Sequence, residues 1–547
     1  MDVALSESGP LPADDRSALR EMLTIATPAV IGMVSFSLMQ FVDRLLCANL
    51  VGPQALMAAG NGGIASWVPG SVMMGMLGVI NTYVSQNLGA GKPERGAAYA
   101  WAGIWIGLAV WLLVLIPYTA AFPLVFEAMR ASLGLEPVSA HIHAMETDYG
   151  RILLLGMIFT LTARTLGHYF YGMHRPMIVM ASTIVGNIVN IGVSLALIIA
   201  AKRTSPELTE DVQRLALRGA AVGTVCGLIV ECALPAVVFL SGRYARQYGT
   251  RRAWRPALGP VRDILRLGWP GGVMFGNEMV CWWIFMGGFV ASFDHGQEIA
   301  VHGPAGWITH QYLMLSFMPA VGISIATTAI VGRCIGAGRH DLAERRTWLA
   351  VRLTMVYMGA CAVCFVVLGE PMVRVFLSDE ATPEQAARIV ELAKVMLMMA
   401  ATFQLFDGLA ITISGALRGA GDTVWPGVAT IFLSWGLIVG GGWLTVNLLP
   451  GLSSYGPWAA ASLYIITLSL VLLARFRVGR WKSMKVLEGG REGVSEARGG
   501  AAVLGGDPGG VPEVAMAPAL DVPGAPGRGF ETSADRSGPP FEHQPKA

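Results

Sequence analysis

The sequence LGWPGGVMFGNEMVCWWIFMGGFVASF (residues 267–293) contains one acidic side chain, Glu278, and no basic one. Arg266 and Asp294 flank it. A helix rises 1.5 Å per residue, so about 20 residues cross the hydrocarbon core of a bilayer. The stretch is long enough to span a membrane, with Glu278 near the midplane. A carboxylate at that depth costs roughly 2.5 to 3.5 kcal/mol, so we expect it to be neutralised, paired or exposed to a water-filled cavity.

A proline and two glycines precede Glu278 by one to two helical turns. Pro270 removes a backbone hydrogen bond, and Gly271 and Gly272 weaken the helix, so this segment can bend and free carbonyl groups beside the carboxylate. We therefore interpret Glu278 as an ion-coupling carboxylate of a transporter. The alternative is a structural glutamate that bonds to a neighbouring helix.

The composition of the 547-residue chain indicates a membrane protein. Its mean hydropathy is +0.54 and only 14% of its residues are charged, whereas soluble chains average about 25%. Repeated apolar runs predict an all-α polytopic membrane protein. The formal net charge of +2 gives no indication of nucleic-acid binding. Residues 1–21 carry several acids without a short apolar core, so we predict no cleavable signal peptide.

We predict twelve membrane-spanning helices. They lie at about 22–47, 62–86, 97–125, 149–172, 176–200, 217–241, 263–293, 303–333, 347–369, 390–416, 424–448 and 457–476. Basic residues concentrate in the loops on the side of the N-terminus, which predicts that both termini are cytoplasmic. The resulting organisation is a cytoplasmic segment (1–21), a first lobe (22–241), a basic linker (242–262), a second lobe (263–485) and a disordered Gly/Pro-rich tail (486–547).

The two halves of the chain resemble each other. The matching segments are TPAV (27–30) with WPGG (269–272), QNLGAGK (86–92) with RCIGAGR (333–339), and YGMHRP (171–176) with RGAGDT (418–423). Six helices per half predict two pseudo-symmetric six-helix lobes related by an axis along the membrane normal. Such repeats are typical of transporters in which two bundles rock about a central cavity. A membrane-embedded enzyme is disfavoured because no metal-ligand cluster or nucleophile–base motif stands out.

Several longer segments, taken together, resemble the multidrug and toxic compound extrusion (MATE) family, most closely its NorM branch. They are FVDRLLCANLVGPQAL (41–56), VSQNLGAGK (84–92), GNIVNIGVSLALI (186–198), LGWPGGVMFGNEM (267–279), FMPAVGISIATTAIVGRCIGAGRHDLAERR (317–346) and FDGLAITISGALRGAGDT (406–423). The resemblance covers about residues 20–480. It implies an inner-membrane, monomeric exporter of small organic, often cationic, compounds in exchange for Na⁺ or H⁺, with no other cofactor. The alternative is a lipid-linked precursor flippase of the wider superfamily, which would favour several cavity arginines and extra helices.

Two acids of the second lobe match the coupling residues that the resemblance implies. Glu278 matches the NorM-branch glutamate, and Asp407 matches its acidic partner. Asp407 is also the only charged residue between Lys394 and Arg418. Two carboxylates in one cavity repel each other, which favours uptake of a proton or a shared Na⁺. The alternative for Asp407 is a cap or network residue at a helix break beside Gly408, and it stays open.

The first lobe offers a third candidate, Asp43, which matches the family's first-helix aspartate. Arg44 follows it where a small residue is usual, so a coupling role and a structural role both stay open. Asn187 and Asn190 form a polar stripe, and Asn190 matches a span-five asparagine of the family. Ser194 stands where a second polar residue is common, and the absence of an aspartate there argues against the DinF-like pattern.

The remaining predictions concern bending and substrate contact. We expect hinges at Pro28, at Pro270 with its two glycines, and at Gly408. Aromatic and methionine side chains that would line a cavity for flat apolar cations are Trp282, Trp283, Phe285, Met286, Met314 and Met318; packing within a lobe is the alternative for each. Glu231 lies inside span six, where the resemblance predicts no acid.

Overall fold

The computed structural model describes residues 15–132, 139–203, 209–294, 297, 301–377, 382–484 and 486–487. In these ranges the chain forms twelve helices, each long and apolar enough to cross a membrane, which confirms the predicted all-α fold class. We number them α1 (Arg16–Val51), α2 (Gln54–Gly89), α3 (Pro93–Ala128), α4 (Ala140–Gly172), α5 (Pro176–Lys202), α6 (Glu210–Phe239), α7 (Leu258–Asp294), α8 (His302–Gly336), α9 (His340–Val367), α10 (Pro383–Ala420), α11 (Val424–Leu448) and α12 (Tyr455–Val478). The tail beyond 487 and most of the N-terminal segment lie outside the described residues.

Five helices (α2, α4, α6, α9 and α10) begin seven to nine residues before their predicted starts. In α4, α6 and α10 the first turns are polar, and hydropathy does not detect them. Each has a side-chain N-cap that satisfies a free backbone amide. The cap of α4 is Ser139, that of α6 is Thr209 and that of α10 is Thr382. These turns extend the helices beyond the apolar spans.

The six-plus-six organisation appears in the turns as well as in the helices. Gly91 and Gly338 have positive φ angles of 73° and 71° at the equivalent positions that end α2 and α8. The turns that end α4 and α10 are also equivalent, with His174 at φ 57° and Gly421 at φ 90°. Glycine adopts this region freely, whereas histidine does so rarely. The repeat seen in the sequence is therefore a repeat of backbone geometry.

We call the end of the bundle at which α1 begins the basal end and the opposite end the distal end. The N-lobe (α1–α6) and the C-lobe (α7–α12) meet mainly through α1, α2, α7 and α8. At the distal ends of α1 and α7, the π-helical segments Cys47–Val51 and Ile284–Val290 pack chiefly on helices of their own lobe. These two distal segments therefore add little to the contact between the lobes.

Polar side chains bind the lobes together in the basal half. Asn81 donates a hydrogen bond from Nδ2 to the carbonyl of Ile325 (3.1 Å), and Gln86 donates from Nε2 to the carbonyl of Gly419 (2.9 Å). Both side chains are buried. Because their acceptors are backbone carbonyls of the other lobe, these bonds can form only when the basal half is closed.

The segment between the lobes contains one short helix, Gly242–Tyr248, capped by Ser241. Two tryptophans of α3 hold the chain that follows it. Trp101 donates to the carbonyl of Thr250 (2.7 Å) and Trp105 to that of Trp254 (2.8 Å). The predicted linker is therefore packed onto the N-lobe before α7 begins at Leu258.

Helix α7 runs through Pro270 without interruption as far as Trp283, and its departure from α geometry comes later, at Ile284–Val290. Gly271 and Gly272 lie against the backbone of α2, at Gly75 and Val72. In this conformation the proline–glycine segment is a close helix–helix contact, and its role as a hinge stays a prediction.

Pro28 likewise lies inside a continuous helix, and Gly408 packs against Met358 and Thr354 of α9. Hinge function at these two positions also stays a prediction.

Candidate functional site

The two acids predicted in the C-lobe face a common tyrosine. Glu278 lies near the middle of α7, Asp407 lies on α10, and Tyr464 of α12 donates a hydrogen bond to Glu278 Oε1 (3.3 Å). Asp407 is within electrostatic range of both Glu278 and Tyr464. Both carboxylates are half-buried, whereas Tyr464 is only 3% exposed. Three helices therefore converge on one acidic site inside the lobe.

Neighbouring polar residues fix the backbone around Glu278. Asn277 donates from Nδ2 to Ser434 Oγ (2.8 Å) and accepts from Trp435 Nε1 (2.7 Å). These two bonds join α7 to α11 directly beside the carboxylate, which limits rotation of α7 about its axis.

A second polar pair lies near Asp407. Gln404, one turn before it on α10, donates to Ser316 Oγ of α8 (2.8 Å) and is fully buried. Its Oε1 has no hydrogen-bond donor among the described residues. The site around Asp407 therefore offers a buried amide oxygen as well as the carboxylate.

Asp43 belongs to a separate cluster in the N-lobe. Its Oδ2 accepts hydrogen bonds from Asn190 Nδ2 (3.3 Å) and from Thr224 Oγ1 (3.2 Å). Asn190 is fully buried and also donates to Thr224 (3.2 Å). In the described part of the chain, Oδ1 of Asp43 and Oδ1 of Asn190 accept no hydrogen bond. Two free acceptor oxygens in one cluster can take a proton or a hard cation.

Among the described residues, the other supporting residues predicted from sequence donate their hydrogen bonds away from Asp43. Asn187 donates to the backbone carbonyl of Ser35 (2.7 Å), and Ser194 donates to the carbonyl of Ala220 (3.3 Å). Arg44 is exposed. Of the predicted polar stripe, only Asn190 is part of the cluster.

Sequence reasoning missed Thr224, which is the second donor to Asp43. It is the one hydroxyl in the apolar run AAVGTVCGLIV of α6, and that isolation was the available signal. The unexpected acid Glu231, on the same helix, accepts from Thr183 Oγ1 (3.0 Å) and is 6% exposed. It joins α6 to α5 and lies outside the Asp43 cluster.

The six predicted cavity residues divide into two groups. Phe285 (0% exposed) and Met286 (2% exposed) lie in the hydrophobic core of the C-lobe, so they are packing residues rather than cavity-lining ones in this conformation. Trp283 is exposed, and Trp282, Met314 and Met318 are partly exposed. The phase of the π-helical segment that begins at Ile284 turns the two buried side chains inward.

A buried ion triad closes the basal end and was not predicted. Glu21 of α1 lies 3.6 Å from Arg333 Nη1 and 3.4 Å from Arg346 Nη2. The side chains of Glu21 and Arg346 are 3% and 5% exposed. Because Glu21 belongs to the N-lobe and both arginines to the C-lobe, the triad joins the lobes.

No group of three His, Cys, Asp or Glu side chains is placed to hold a metal ion within the described ranges. The cation candidates are therefore the carboxylate–tyrosine site of the C-lobe and the carboxylate–amide–hydroxyl cluster of the N-lobe.

Comparisons with known proteins agree with this architecture. The family model MatE matches twice, at residues 28–195 and 277–444, once in each lobe.

Similar relatives include three proteins named "Probable multidrug resistance protein NorM". The protein from Pseudomonas putida is 27% identical over 479 residues, covering 87% of this chain and 96% of its own. That from Thermotoga maritima is 27% identical over 508 residues (89% and 98%). That from Deinococcus radiodurans is 29% identical over 488 residues (86% and 99%).

Solved structures share the fold. A MOP superfamily transporter from Pyrococcus furiosus superposes with a TM-score of 0.73 at 18% identity, covering 85% of this chain and 97% of that one. A crystal structure of MATE in the straight conformation gives 0.72 at 18% identity with the same coverage. At this identity the likeness establishes the fold alone.

Proposed function

Because the chain belongs to the MATE family of multi-pass membrane transporters, we propose that it is a secondary active antiporter that exports small organic compounds in exchange for Na⁺ or H⁺. Its relatives are named for multidrug resistance, and we infer a similar range of organic, largely cationic, substrates for this chain. We further infer that it works as a monomer in the inner membrane.

The C-lobe site supports this proposal most directly. Glu278 and Asp407 are ionisable groups in the middle of a membrane bundle, and a carboxylate there is costly unless it is neutralised. A proton or a Na⁺ ion supplies the neutralisation, and the Tyr464 hydroxyl stabilises the charged carboxylate by a hydrogen bond when the cation is absent. Cation occupancy therefore changes which contacts hold α7, α10 and α12 together.

We assign the basal end to the cytoplasm because the basic loops lie there. The residues that carry this assignment are Arg243, Arg246, Arg251, Arg252, Arg255, Arg339, Arg345 and Arg480. In this orientation both termini are cytoplasmic, and the closed basal half, joined by bonds such as that from Asn81 to Ile325, corresponds to an outward-facing state. A cation from outside then binds the C-lobe site, and the resulting rearrangement weakens substrate contacts and releases the compound outward.

The Asp43 cluster is a second cation site in this proposal. It has two free acceptor oxygens, whereas the C-lobe site has two carboxylates. A proton on Asp43 or a cation between Asp43 and Asn190 would change the packing of α1 on α5 and α6. The two sites are distinguishable by mutation because they share no residue.

The decisive experiment is ethidium transport in everted membrane vesicles under an imposed Na⁺ or pH gradient. The variants are Glu278→Gln, Asp407→Asn and Asp43→Asn, and the matched control is Glu231→Gln, a buried acid outside both sites. Loss of gradient-driven transport in Glu278→Gln and Asp407→Asn, at normal membrane expression, supports the C-lobe site, and the effective gradient identifies the ion. If both variants transport like the wild type, the C-lobe assignment is wrong and Asp43 becomes the coupling residue.

A further inference from the structure

The segment that joins the two lobes presents a positively charged surface. Residues 241–258 contain five arginines and no acidic residue. All five are exposed, and in the ranges that the structure describes no carboxylate lies within 4 Å of any of them. They are Arg243, Arg246, Arg251, Arg252 and Arg255.

Basic residues at and after the basal end of α12, by contrast, have counter-ions. Arg475 donates to Asp422 (2.7 Å), and Lys482 donates to Glu344. The chain itself neutralises these two charges, whereas the described residues leave the five linker arginines free for an anionic partner.

The fold holds the linker in one position on the N-lobe. Tyr248 is only 2% exposed, and the ring of Tyr244 lies 5.8 Å from that of Phe170, centroid to centroid. Arg251 is fixed as well, because its Nε donates to the carbonyl of Leu240 (2.7 Å). The tyrosines thus face the N-lobe core while the arginines face outward, so the positive surface is a built part of the lobe.

Two apolar side chains are exposed beside the arginines. Trp254 is 51% exposed and Leu258 is 86% exposed. Trp105, whose indole donates to the carbonyl of Trp254 (2.8 Å), belongs to the predicted span 97–125, about 12 Å along the helix axis from its start. Because helical side chains tilt toward the N-terminus, which for α3 is the basal end, Trp254 lies near the basal boundary of the apolar region. Tryptophan and arginine are typical of that boundary.

We propose that this part of the linker binds the headgroup of an anionic phospholipid. We name it the linker surface; its residues are Arg251, Arg252, Trp254, Arg255 and Leu258. The guanidinium groups would hold the phosphate by charge-assisted hydrogen bonds, and the two apolar side chains would lie against the adjoining acyl chains.

Charge complementarity also sets the expected selectivity of the linker surface. A zwitterionic lipid carries the same phosphate with a compensating positive charge, so it should bind more weakly than an anionic one. This inference does not depend on the proposed transport function. It holds for either orientation of the basal end, because both surfaces of a bilayer present phosphate groups.

Native mass spectrometry of the purified full-length protein, titrated in detergent with phosphatidylglycerol or with phosphatidylcholine of the same acyl chains, tests this proposal. We expect the wild type to bind phosphatidylglycerol about tenfold more tightly or better. Arg252→Gln/Arg255→Gln should lower the affinity for phosphatidylglycerol by about tenfold and that for phosphatidylcholine by less than about twofold. Neither side chain donates a hydrogen bond to a described residue, so the double variant should fold normally.

The matched control is Arg345→Gln/Arg480→Gln, which removes the same charge from two exposed arginines at the basal end of the C-lobe. Its lipid affinities should equal those of the wild type. An equal loss in both double variants would show that net charge, rather than the linker surface, attracts the lipid, and would overturn the proposal. A wild type that binds the two lipids alike would do the same.

Two further measurements separate the lipid from other anions. If glycerol 3-phosphate displaces phosphatidylglycerol at equal concentration, the linker surface is a site for soluble phosphate compounds and its assignment to lipid is wrong. If phosphatidylglycerol binds tightly only after residues 489–547 are removed, the acidic residues of the chain's own tail occupy the surface, which also overturns the assignment.

Discussion

Gly89 and Gly336 occupy equivalent positions in the two lobes, and each lies directly against the backbone of the other's helix. A Cβ atom at Gly89 would overlap the carbonyl of Arg333, and one at Gly336 would overlap the carbonyl of Gln86. This reciprocal contact brings α2 and α8 together at the basal end. Closure there depends on the absence of two side chains.

We expect Gly336→Ala to hold the basal end open, because the new methyl group requires the lobes to separate. Overpacking of this kind costs about 1–3 kcal/mol, and 1.4 kcal/mol is a factor of about ten in an equilibrium. Cys334, which is buried at 1% exposure, reports the opening. In a variant with no other cysteine, its reaction with an impermeant maleimide in everted vesicles should be about tenfold faster. The control is Gly192→Ala, where a Cβ meets nothing within 4 Å; equal labelling in the two variants would contradict the prediction.

Tyr464→Phe should make the C-lobe site easier to fill with cations. The hydroxyl bond to Glu278 stabilises the ionised, cation-free carboxylate, and a hydrogen bond to a charged group contributes about 1.5–3 kcal/mol. We therefore expect half-maximal ethidium transport at a roughly tenfold lower concentration of the driving cation. Tyr312→Phe is the control because its hydroxyl donates to Met372 outside the site (2.8 Å). The same shift in both variants, or a shift to higher concentration, would refute the assigned role.

Glu21→Gln should lower thermal stability because it removes the buried carboxylate that lies within 4 Å of both Arg333 and Arg346. Removing one partner of a buried ion pair costs about 3–5 kcal/mol, and the apparent Tm in detergent measures the loss. The double variant Glu21→Gln/Arg346→Met should recover part of it. Glu370→Gln, in an exposed pair with Arg374, should change Tm little. The ion triad has no structural role if Glu21→Gln melts like the wild type.

His174 predicts a loss of stability at acid pH. Its Nε2–H donates to the carbonyl of Ala329 across the lobes (3.2 Å), and burial, with the nearby Arg333 charge, lowers the pKa of His174 to about 3. Because the unfolded ring has a pKa near 6.5, the unfolded state takes up the proton first. The contribution of His174 to the free energy of unfolding is complete above about pH 6.5. It decreases as the pH falls toward 3, by up to about 1.4 kcal/mol per pH unit.

The non-titrating variant His174→Asn isolates this effect, since asparagine tolerates positive φ. Between about pH 7 and pH 4.5 the Tm of the wild type should fall more steeply than that of the variant. Parallel curves of Tm against pH would show that titration of His174 does not cause the loss of stability.

The number and order of the helices were predictable because hydropathy and the internal repeat are properties of local sequence. The starts of α4, α6 and α10 were not, since their first turns are polar and depend on caps such as Ser139. Glu21 escaped notice because it lies at the predicted boundary of the first span. Local sequence does not say which charges a helix end will meet.

The candidate acids were visible as isolated charges, but their partners were not. Tyr464 lies 186 residues from Glu278 and Thr224 lies 181 residues from Asp43, so only the packing of the helices brings them together. Phe285 and Met286 were assigned to a cavity by composition. The helical phase that buries them is set by the π-helical segment in which they lie, which composition does not reveal.

That segment, Ile284–Val290, and the π-helical segment Ser434–Gly440 flank the Glu278 site on α7 and α11. A π turn bonds residue i to i+5, so it stores one residue more than an α turn. If either segment returned to α geometry, the part of the helix beyond it would rotate by about 100°. The series of backbone hydrogen bonds along the helix would stay continuous. Each of the two helices thus holds an extra residue beside the carboxylate. Loss of the π turn would rotate the distal part of the helix about its axis while the basal part kept its packing.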